Sequence, residues 1–317
     1  MKGLLLVLVM STIAAGLLGL LYGPVYTPLN STGVYREILL DMKLPTVIYA
    51  ALTGIVLAAS GTVLQTLFRN GLMDPYVSGT AAGAAFGAVI AFFTGVPLFL
   101  SILAQPVAAF AFSVLGSLIV LALGRKGGPG SLLLAGLTVD FAFTSGLLVA
   151  EEYLQFKYPQ LPNALYWLFG DVGVKTFTDV GVLLSVTLVF LYVLTLRARA
   201  FDLASLGDEV AYANGLNVGK FRLGWLTLTS LVVGYLVSQV GAIGFVGLMS
   251  PHMARLMGAD GFRQVLLTSC IVGALVMEAA NDISDGTFGF IVPITAVTSA
   301  FVLPIMIRLA MGLEYRA

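Results

Sequence analysis

Sixteen basic and sixteen acidic side chains, one histidine and one cysteine are the groups this 317-residue chain offers for chemistry. They are not grouped as a catalyst needs them. His252 stands alone, so no HExxH pair of imidazoles can hold a zinc ion, and no GxxxxGK[ST] loop is present to cradle a nucleotide phosphate. Cys270 has no second thiol to pair with and lies in an apolar run, which makes it a small packing residue. His252, in the run Pro251-His252-Met253-Ala254-Arg255, reads as a structural hydrogen-bonding group, with Arg255 one turn further at an interface. Little remains for hydrolysis or metal-assisted chemistry. What remains is recognition by charge and shape. It is densest between Arg197 and Arg222, RARAFDLASLGDEVAYANGLNVGKFR, where Arg197, Arg199, Asp202, Asp208, Glu209, Lys220 and Arg222 carry charge. This is the longest polar interval in the chain, it reads as partly helical, and apolar runs flank it on both sides.

Those runs decide the class. The chain is 59% hydrophobic and 10% charged, with a mean hydropathy of +1.00, whereas a soluble domain carries about 25% charge. Apolar stretches of about 20 residues read as transmembrane helices, and ten such spans follow: about 3–22, 45–67, 77–94, 98–123, 131–150, 178–196, 223–242, 246–258, 265–281 and 291–310. The first is longer than the apolar core of a signal peptide and lacks a clean cleavage site, so it reads as a span. The eighth is short for a full crossing and suits a broken or tilted helix. With ten spans, one side holds Lys2, Arg69, Arg125, Lys126, Arg197, Arg199, Lys220, Arg222, Arg255, Arg263, Arg308 and Arg316, and the other only Arg36, Lys43, Lys157 and Lys175. The positive-inside rule then places both termini and the 197–222 insert in the cytoplasm. A formal net charge of zero gives no reason to expect nucleic acid as a partner.

The outward segments 23–43 and 151–177 carry Pro, Tyr and acidic residues, as solvent-facing loops and interfacial helices do, and Asn30-Ser31-Thr32 is a glycosylation sequon of low specificity. Many of the 36 glycines fall at helical spacing, as in Gly79, Gly83 and Gly87 or Gly241, Gly244 and Gly247. Small residues let helix backbones approach where lipid supplies no hydrophobic drive. The pattern fits a tightly packed bundle, and equally helices that slide against each other. Asp140 and Glu278 fall inside spans, where carboxylates usually face a bundle interior or a water-filled cavity.

Three stretches are more specific: Leu44 to Gly87, LPTVIYAALTGIVLAASGTVLQTLFRNGLMDPYVSGTAAGAAFG; Asp202 to Leu216; and Gly241 to Arg263, GAIGFVGLMSPHMARLMGADGFR. Together with Leu132–Gly136 and Tyr166–Gly170 they resemble, in order and over nearly the whole chain, the FecCD-type permeases of ABC importers for iron–siderophore complexes, haem and cobalamin. GFVGLMSPHMAR carries most of that specificity. The resemblance implies an all-α membrane protein of the type II importer permease fold, forming one transmembrane permease domain over residues 1–317. It also implies a homodimer in the lipid of the cell membrane, two cytoplasmic ATPase subunits that hold the ATP and magnesium, and an extracytoplasmic substrate-binding protein. The permease itself would hold no cofactor and hydrolyse nothing.

The same resemblance gives roles to residues. Leu206, Gly207, Asp208, Glu209, Ala211, Gly215 and Leu216 fall where the family places two short coupling helices that seat in the ATPase. Gly207 and Gly215 suit the breaks, and Asp208 and Glu209 suit a first helical turn, where negative charge is favoured. Asn70 and Leu72 match the cytoplasmic gate at the inner end of the second span, although Gly71 replaces the family's proline while Pro75 is kept. Gly130 and Ser131, within Gly128–Ser131, match a second constriction. On the outer face the family's arginines pair with glutamates of the binding protein. Here Lys43 precedes Thr46 where Arg-Leu-Pro-Arg is usual, and Asp285 stands near a missing later arginine. Docking through Lys43, Thr46 and Asp285 would therefore use a different charge pattern, with Glu37, Asp41, Asp282 and Asp285 meeting basic groups. Asp140 lies in the fifth span, which lines the pathway in the family. It either faces that pathway and disfavours anions or is a protonated or hydrogen-bonded packing residue.

An ion-gradient-driven secondary transporter is the alternative. Such folds often show repeats between halves, no convincing repeat is visible here, and a carrier without an ATPase has no use for the 206–216 insert. Among substrates the residues choose none: iron–siderophore, cobalamin, haem and oxyanions such as molybdate all remain open.

Overall fold

The computed structural model describes residues 2–22, 26–28, 32–75, 79–93, 98–124, 128–157, 170–285 and 292–310. The sequon residues Asn30 and Ser31, the stretch 166–169, Arg125, Lys126 and Arg316 lie outside these. The described residues form helices and connecting segments, with no strand among them. In hydrocarbon no water is available to satisfy a free N–H or C=O, so a lipid-facing segment must close its hydrogen bonds within itself, as a helix does.

Every expected span has a helix at its place. In chain order these are α1 (Lys2–Leu21), α2 (Val34–Glu37), α3 (Leu44–Phe68), α4 (Thr80–Phe93), α5 (Leu98–Gly124), α6 (Gly128–Lys157), α7 (Phe177–Leu196), α8 (Ala198–Ser205), α9 (Asp208–Ala213), α10 (Val218–Val240), α11 (Val246–Leu256), α12 (Gly261–Ser284) and α13 (Ile294–Ala310). Six helical stretches among the described residues are long and apolar enough to cross a membrane, the longest being the continuous run Val34–Phe68. The helices α1, α4 and α13 supply shorter apolar stretches. At 11 residues, α11 is the short eighth segment expected from sequence.

The continuity of Val34–Phe68 departs from the sequence reading, which ended the outward segment at residue 43. Pro45 explains how the helix passes through. A proline lacks an N–H, and its ring clashes with the carbonyl four residues back. Here residues Ile38–Lys43 widen into π-helical turns, with the Leu44 N–H donating to the Leu39 carbonyl five residues back. A wider turn of this kind makes room for such a ring.

By contact the described residues fall into two compact units: residues 1–62, 172–196 and 243–317, and residues 63–171 and 197–242. In the first, α12 packs against α1, α11 and α13. Helix backbones touch where glycines meet. A Cβ on Gly54 would enter the carbonyl of Gly273, and one on Gly61 would enter the carbonyl of Gly247. Gly16 and Gly19 of α1 face the carboxylates of Glu278 and Asp282. In the second unit, α5 packs against α4, α6 and α10. Gly83 and Gly87 abut the carbonyls of Phe112 and Ala108. The rings of Phe86, Phe112 and Phe143 fill the wider gap between these helices, with centroids 5.4 to 6.3 Å apart.

Filling one of these contacts is more damaging than filling a surface glycine. Gly61→Leu is expected to lose about 2 kcal/mol or more through overpacking, seen as loss of the monodisperse peak in detergent gel filtration. Gly181→Leu, with nothing within 4 Å of its Cβ position, leaves that peak intact.

Candidate functional site

The insert folds into two short helices, α8 and α9, that pack on the start of α10. The apolar face of α8 buries Ala198, Phe201 and Ala204. The fully buried Phe201 ring lies against Phe221 (centroids 5.0 Å apart) and Trp225 (4.8 Å), which anchors the insert to α10. Aromatic pairs of this geometry are worth about 1 kcal/mol beyond their buried area. Between α8 and α9 stands Gly207, at φ 127° and ψ 156°, a conformation that is essentially restricted to glycine. Asp208 and Glu209 occupy the first turn of α9, where negative charge opposes the positive end of the helix dipole.

The far end of α9 closes with paired bonds: Leu216 N–H to the Ala211 carbonyl and Gly215 N–H to the Tyr212 carbonyl, both 2.9 Å. This is the Schellman arrangement, which wants a left-handed residue at the turn, and Gly215 supplies it at φ 82°. Asn217 then caps α10, its side chain accepting from the Lys220 N–H at 3.1 Å. With Ala211 buried, α9 turns the other way Val210 and Tyr212 (74% exposed), next to Leu206 (67%) and the exposed Glu209. Two short, conformationally fixed helices thus present an apolar ridge edged by a carboxylate.

Asp208 does not project freely. The Arg222 guanidinium donates to both of its oxygens, Nη2 to Oδ1 at 2.7 Å and Nη1 to Oδ2 at 2.9 Å, while Arg69 Nη2 donates to Oδ1 at 2.9 Å. Arg222 Nε also donates to the Leu67 carbonyl at 2.9 Å, occupying one of the orphan acceptors at the end of α3. Neither arginine was singled out from sequence beyond its count as a positive charge. They stand 139 and 14 residues from Asp208, and no periodic pattern links those positions.

Arg69 adjoins Asn70. The α3 terminus is a second Schellman turn, Asn70 N–H to the Gln65 carbonyl and Arg69 N–H to the Thr66 carbonyl. Its left-handed position, φ 50°, is filled by Arg69 rather than glycine, at a cost of about 1 kcal/mol. Asn70 Oδ1 then accepts from the Leu72 N–H at 3.0 Å, fixing the turn that leaves Leu72 60% exposed. Through Arg69, the chain neighbour of Asn70, this turn adjoins the Asp208 cluster. Gly130 lies in the first turn of α6. The Ser131 hydroxyl donates to the Gly124 carbonyl at 2.9 Å, tying the start of α6 to the end of α5. Asp140 lies midway along α6, its Oδ1 buried without a hydrogen-bond partner.

The residues expected to dock a partner have other contacts as well. Lys43 Nζ donates to the Tyr22 carbonyl at 2.8 Å and the Leu20 carbonyl at 3.3 Å, capping the end of α1, with Asp282 and Asp285 within electrostatic reach. The buried Thr46 hydroxyl donates to the Met42 carbonyl and accepts from the Lys175 N–H at 3.1 Å. Asp285 ends α12 and accepts from the Asn281 amide at 3.2 Å. Among the described residues no three His, Cys, Asp or Glu side chains form a metal-binding group.

A helical, multi-span chain carrying one compact insert is the build of a membrane transport permease. The chain belongs to the FecCD transport family, which matches residues 4–312, and so is a transport subunit rather than an enzyme. It is 30% identical to the Fe(3+)-citrate import system permease protein YfmE of Bacillus subtilis, over 89% of this chain and 84% of that protein. It is 34% identical to the cobalamin import system permease protein BtuC of Halobacterium salinarum (87% and 74%) and 32% identical to the hemin transport system permease protein HmuU of Yersinia pestis (89% and 84%). The fold matches, with a TM-score of 0.85 at 24% identity and 98% and 100% coverage, that of a protein described as a metal-chelate-type ABC transporter in an inward-facing conformation. It also matches PsaBC of Streptococcus pneumoniae, with a TM-score of 0.60 at 17% identity over 85% and 92% of the chains.

If Gly207 and not the surrounding charge holds the insert in place, Gly207→Val should cost about 2 kcal/mol. Limited trypsin digestion, read at Arg199 and Lys220, should then accelerate by at least about tenfold.

Proposed function

We propose that the chain is the membrane-spanning permease subunit of an ATP-binding-cassette importer for a metal chelate, delivered by an extracytoplasmic binding protein. It works as one permease domain over residues 1–317, as a homodimer in the cell membrane with both termini cytoplasmic. Two ATPase subunits carry the ATP and magnesium, and the permease itself needs no cofactor. The observation that carries this reading is the insert: an apolar ridge of Leu206, Val210 and Tyr212 with Glu209 at its edge, locked by Gly207 and Gly215. A membrane protein gains nothing from exposing such a ridge to water, and exposed apolar surface of this kind marks an interaction site. A groove on an ATPase is the occupant in this reading, and the relatives named for iron(III)-citrate, cobalamin and hemin supply the substrate class.

In this reading ATP-driven closure of the ATPases moves α8 and α9. That movement opens or closes the turn at Asn70 and Leu72 and the constriction at Gly130 and Ser131. Lys43, Thr46 and Asp285 belong to the outward docking face in this reading, where acidic groups meet basic ones on the binding protein. Asp140 is the pathway residue, since a carboxylate left unpaired within a span calls for a functional reason.

Two measurements test this. Co-expressed with the ATPase of its own cell, the wild-type chain should retain that subunit through detergent purification. Tyr212→Ala should lose about 2 kcal/mol of the contact, about thirtyfold in affinity, and Gly207→Pro or Glu209→Arg should release the ATPase. A wild-type chain that retains no ATPase, yet moves substrate down an ion gradient in liposomes, would make it a secondary transporter. For the pathway, Asp140→Asn should raise uptake of an anionic ferric chelate relative to a neutral one; a ratio unchanged for every chelate tried removes Asp140 from the pathway.

A further inference from the structure

We propose that Arg69 and Arg222 are positioning residues that join the insert to the gate turn, with Asp208 as the pin between them. The inference rests on the importer reading above and extends it from the surface an ATPase would grip to the bonds that carry its movement inward. Four observations within one compact unit support it. Asp208 opens α9, the helix whose other residues form the exposed ridge. Its two oxygens take three guanidinium bonds of 2.7 to 2.9 Å. Arg222, whose side chain is only 17% exposed, bonds at the same time to the last turn of α3 through Leu67. Arg69 sits at the left-handed turn of α3, one residue before the Asn70 side chain that holds Leu72.

The identity of residue 69 is the informative part. The backbone at φ 50° favours glycine, so the arginine there carries a backbone cost that glycine would not, and what it adds is its bond to Asp208. Arg69 gives one bond to Oδ1, and the planar fork of Arg222 grips both oxygens, which fixes the direction in which Asp208 is held. A displacement of α9 therefore cannot leave the end of α3 where it is unless these bonds break. The Arg69–Asp208 bond is exposed enough to break under load, its side chains being 39% and 47% exposed, and exposed pairs are weak and screened by salt; the fork of Arg222, 17% exposed, holds Asp208 meanwhile. The joint thus has two arrangements, pinned and released, and a nucleotide-driven shift of the insert selects between them.

The test uses the full complex of permease and ATPase in proteoliposomes, with Leu72→Cys as reporter and Cys270, which is buried, left in place. A membrane-impermeant maleimide reads the reactivity of position 72 without nucleotide and with ATP plus vanadate. The reporter alone should show a nucleotide-dependent change in labelling rate. Adding Arg69→Gly, which satisfies the backbone while deleting the guanidinium, should shrink that change by roughly fivefold or more, the lower range of coupling between sites. ATPase retention and thermal stability should stay at the reporter's level. Arg69→Lys should restore part of the response, and Asp208→Asn should shrink it at least as much as Arg69→Gly does. A full response in Arg69→Gly overturns the joint. If the reporter alone binds the ATPase but never responds to nucleotide, the gate assignment fails and the joint with it. If it binds no ATPase at all, the importer reading is what has failed.

Discussion

Helix backbones that meet without intervening side chains set the geometry on which the other contacts of this permease depend. Lipid chains are as apolar as leucine, so helices here gain little by hiding apolar side chains from their surroundings. Association must come from close fit. Where Gly54 meets Gly273, and Gly61 meets Gly247, the approach leaves no room for a Cβ. The same holds where Gly83 and Gly87 meet the carbonyls of α5. Dispersion between atoms in contact is small per pair and large in sum, and a gap of even one methyl forfeits much of it. Within the second unit, Arg222 reaches a carbonyl on α3 and a carboxylate on α9 at once.

Four buried hydroxyls have an unremarkable role, and that matters for deciding what counts as a site. Thr62, Thr187, Ser250 and Ser269 each donate to the carbonyl four residues earlier in their own helix, at 2.6 to 2.8 Å. Such back-bonds satisfy the hydroxyl locally and ask for no ligand. Against that background, the Asp208 cluster is distinguished by joining residues from three segments of the chain, and Thr46 by joining a helix to the segment at Lys175.

The sequence made the helical bundle legible because hydropathy responds to length and composition alone, and every expected span has its helix. The breaks around α9 were legible too, since only glycine sits comfortably at φ 127° and tolerates 82° so well. Three features were not. The helix through Pro45 depends on π-helical turns just before it, a matter of hydrogen-bond register that composition does not record. The left-handed Arg69 contradicts backbone preference and becomes intelligible only when Asp208 is seen beside it. Lys43 counted as one of few outward charges, yet its ammonium also caps α1 at Leu20 and Tyr22. A charge count assigns sides, not contacts.

The contrast between Lys43 and Arg69 bears on which charges could move during a transport cycle. Lys43 holds backbone carbonyls at a helix end, groups that must be satisfied in any state that keeps the helix. Releasing it leaves the Leu20 carbonyl to the Thr27 hydroxyl alone, at 2.8 Å, and the Tyr22 carbonyl to solvent, so the end of α1 loses a cap that ties it to Lys43. Arg69 and Asp208, by contrast, are both solvent-accessible, and each can exchange the other for water at a net loss of about 1 kcal/mol or less. A contact released at so small a loss suits a part that must change state on every cycle. A helix cap suits a part that must not.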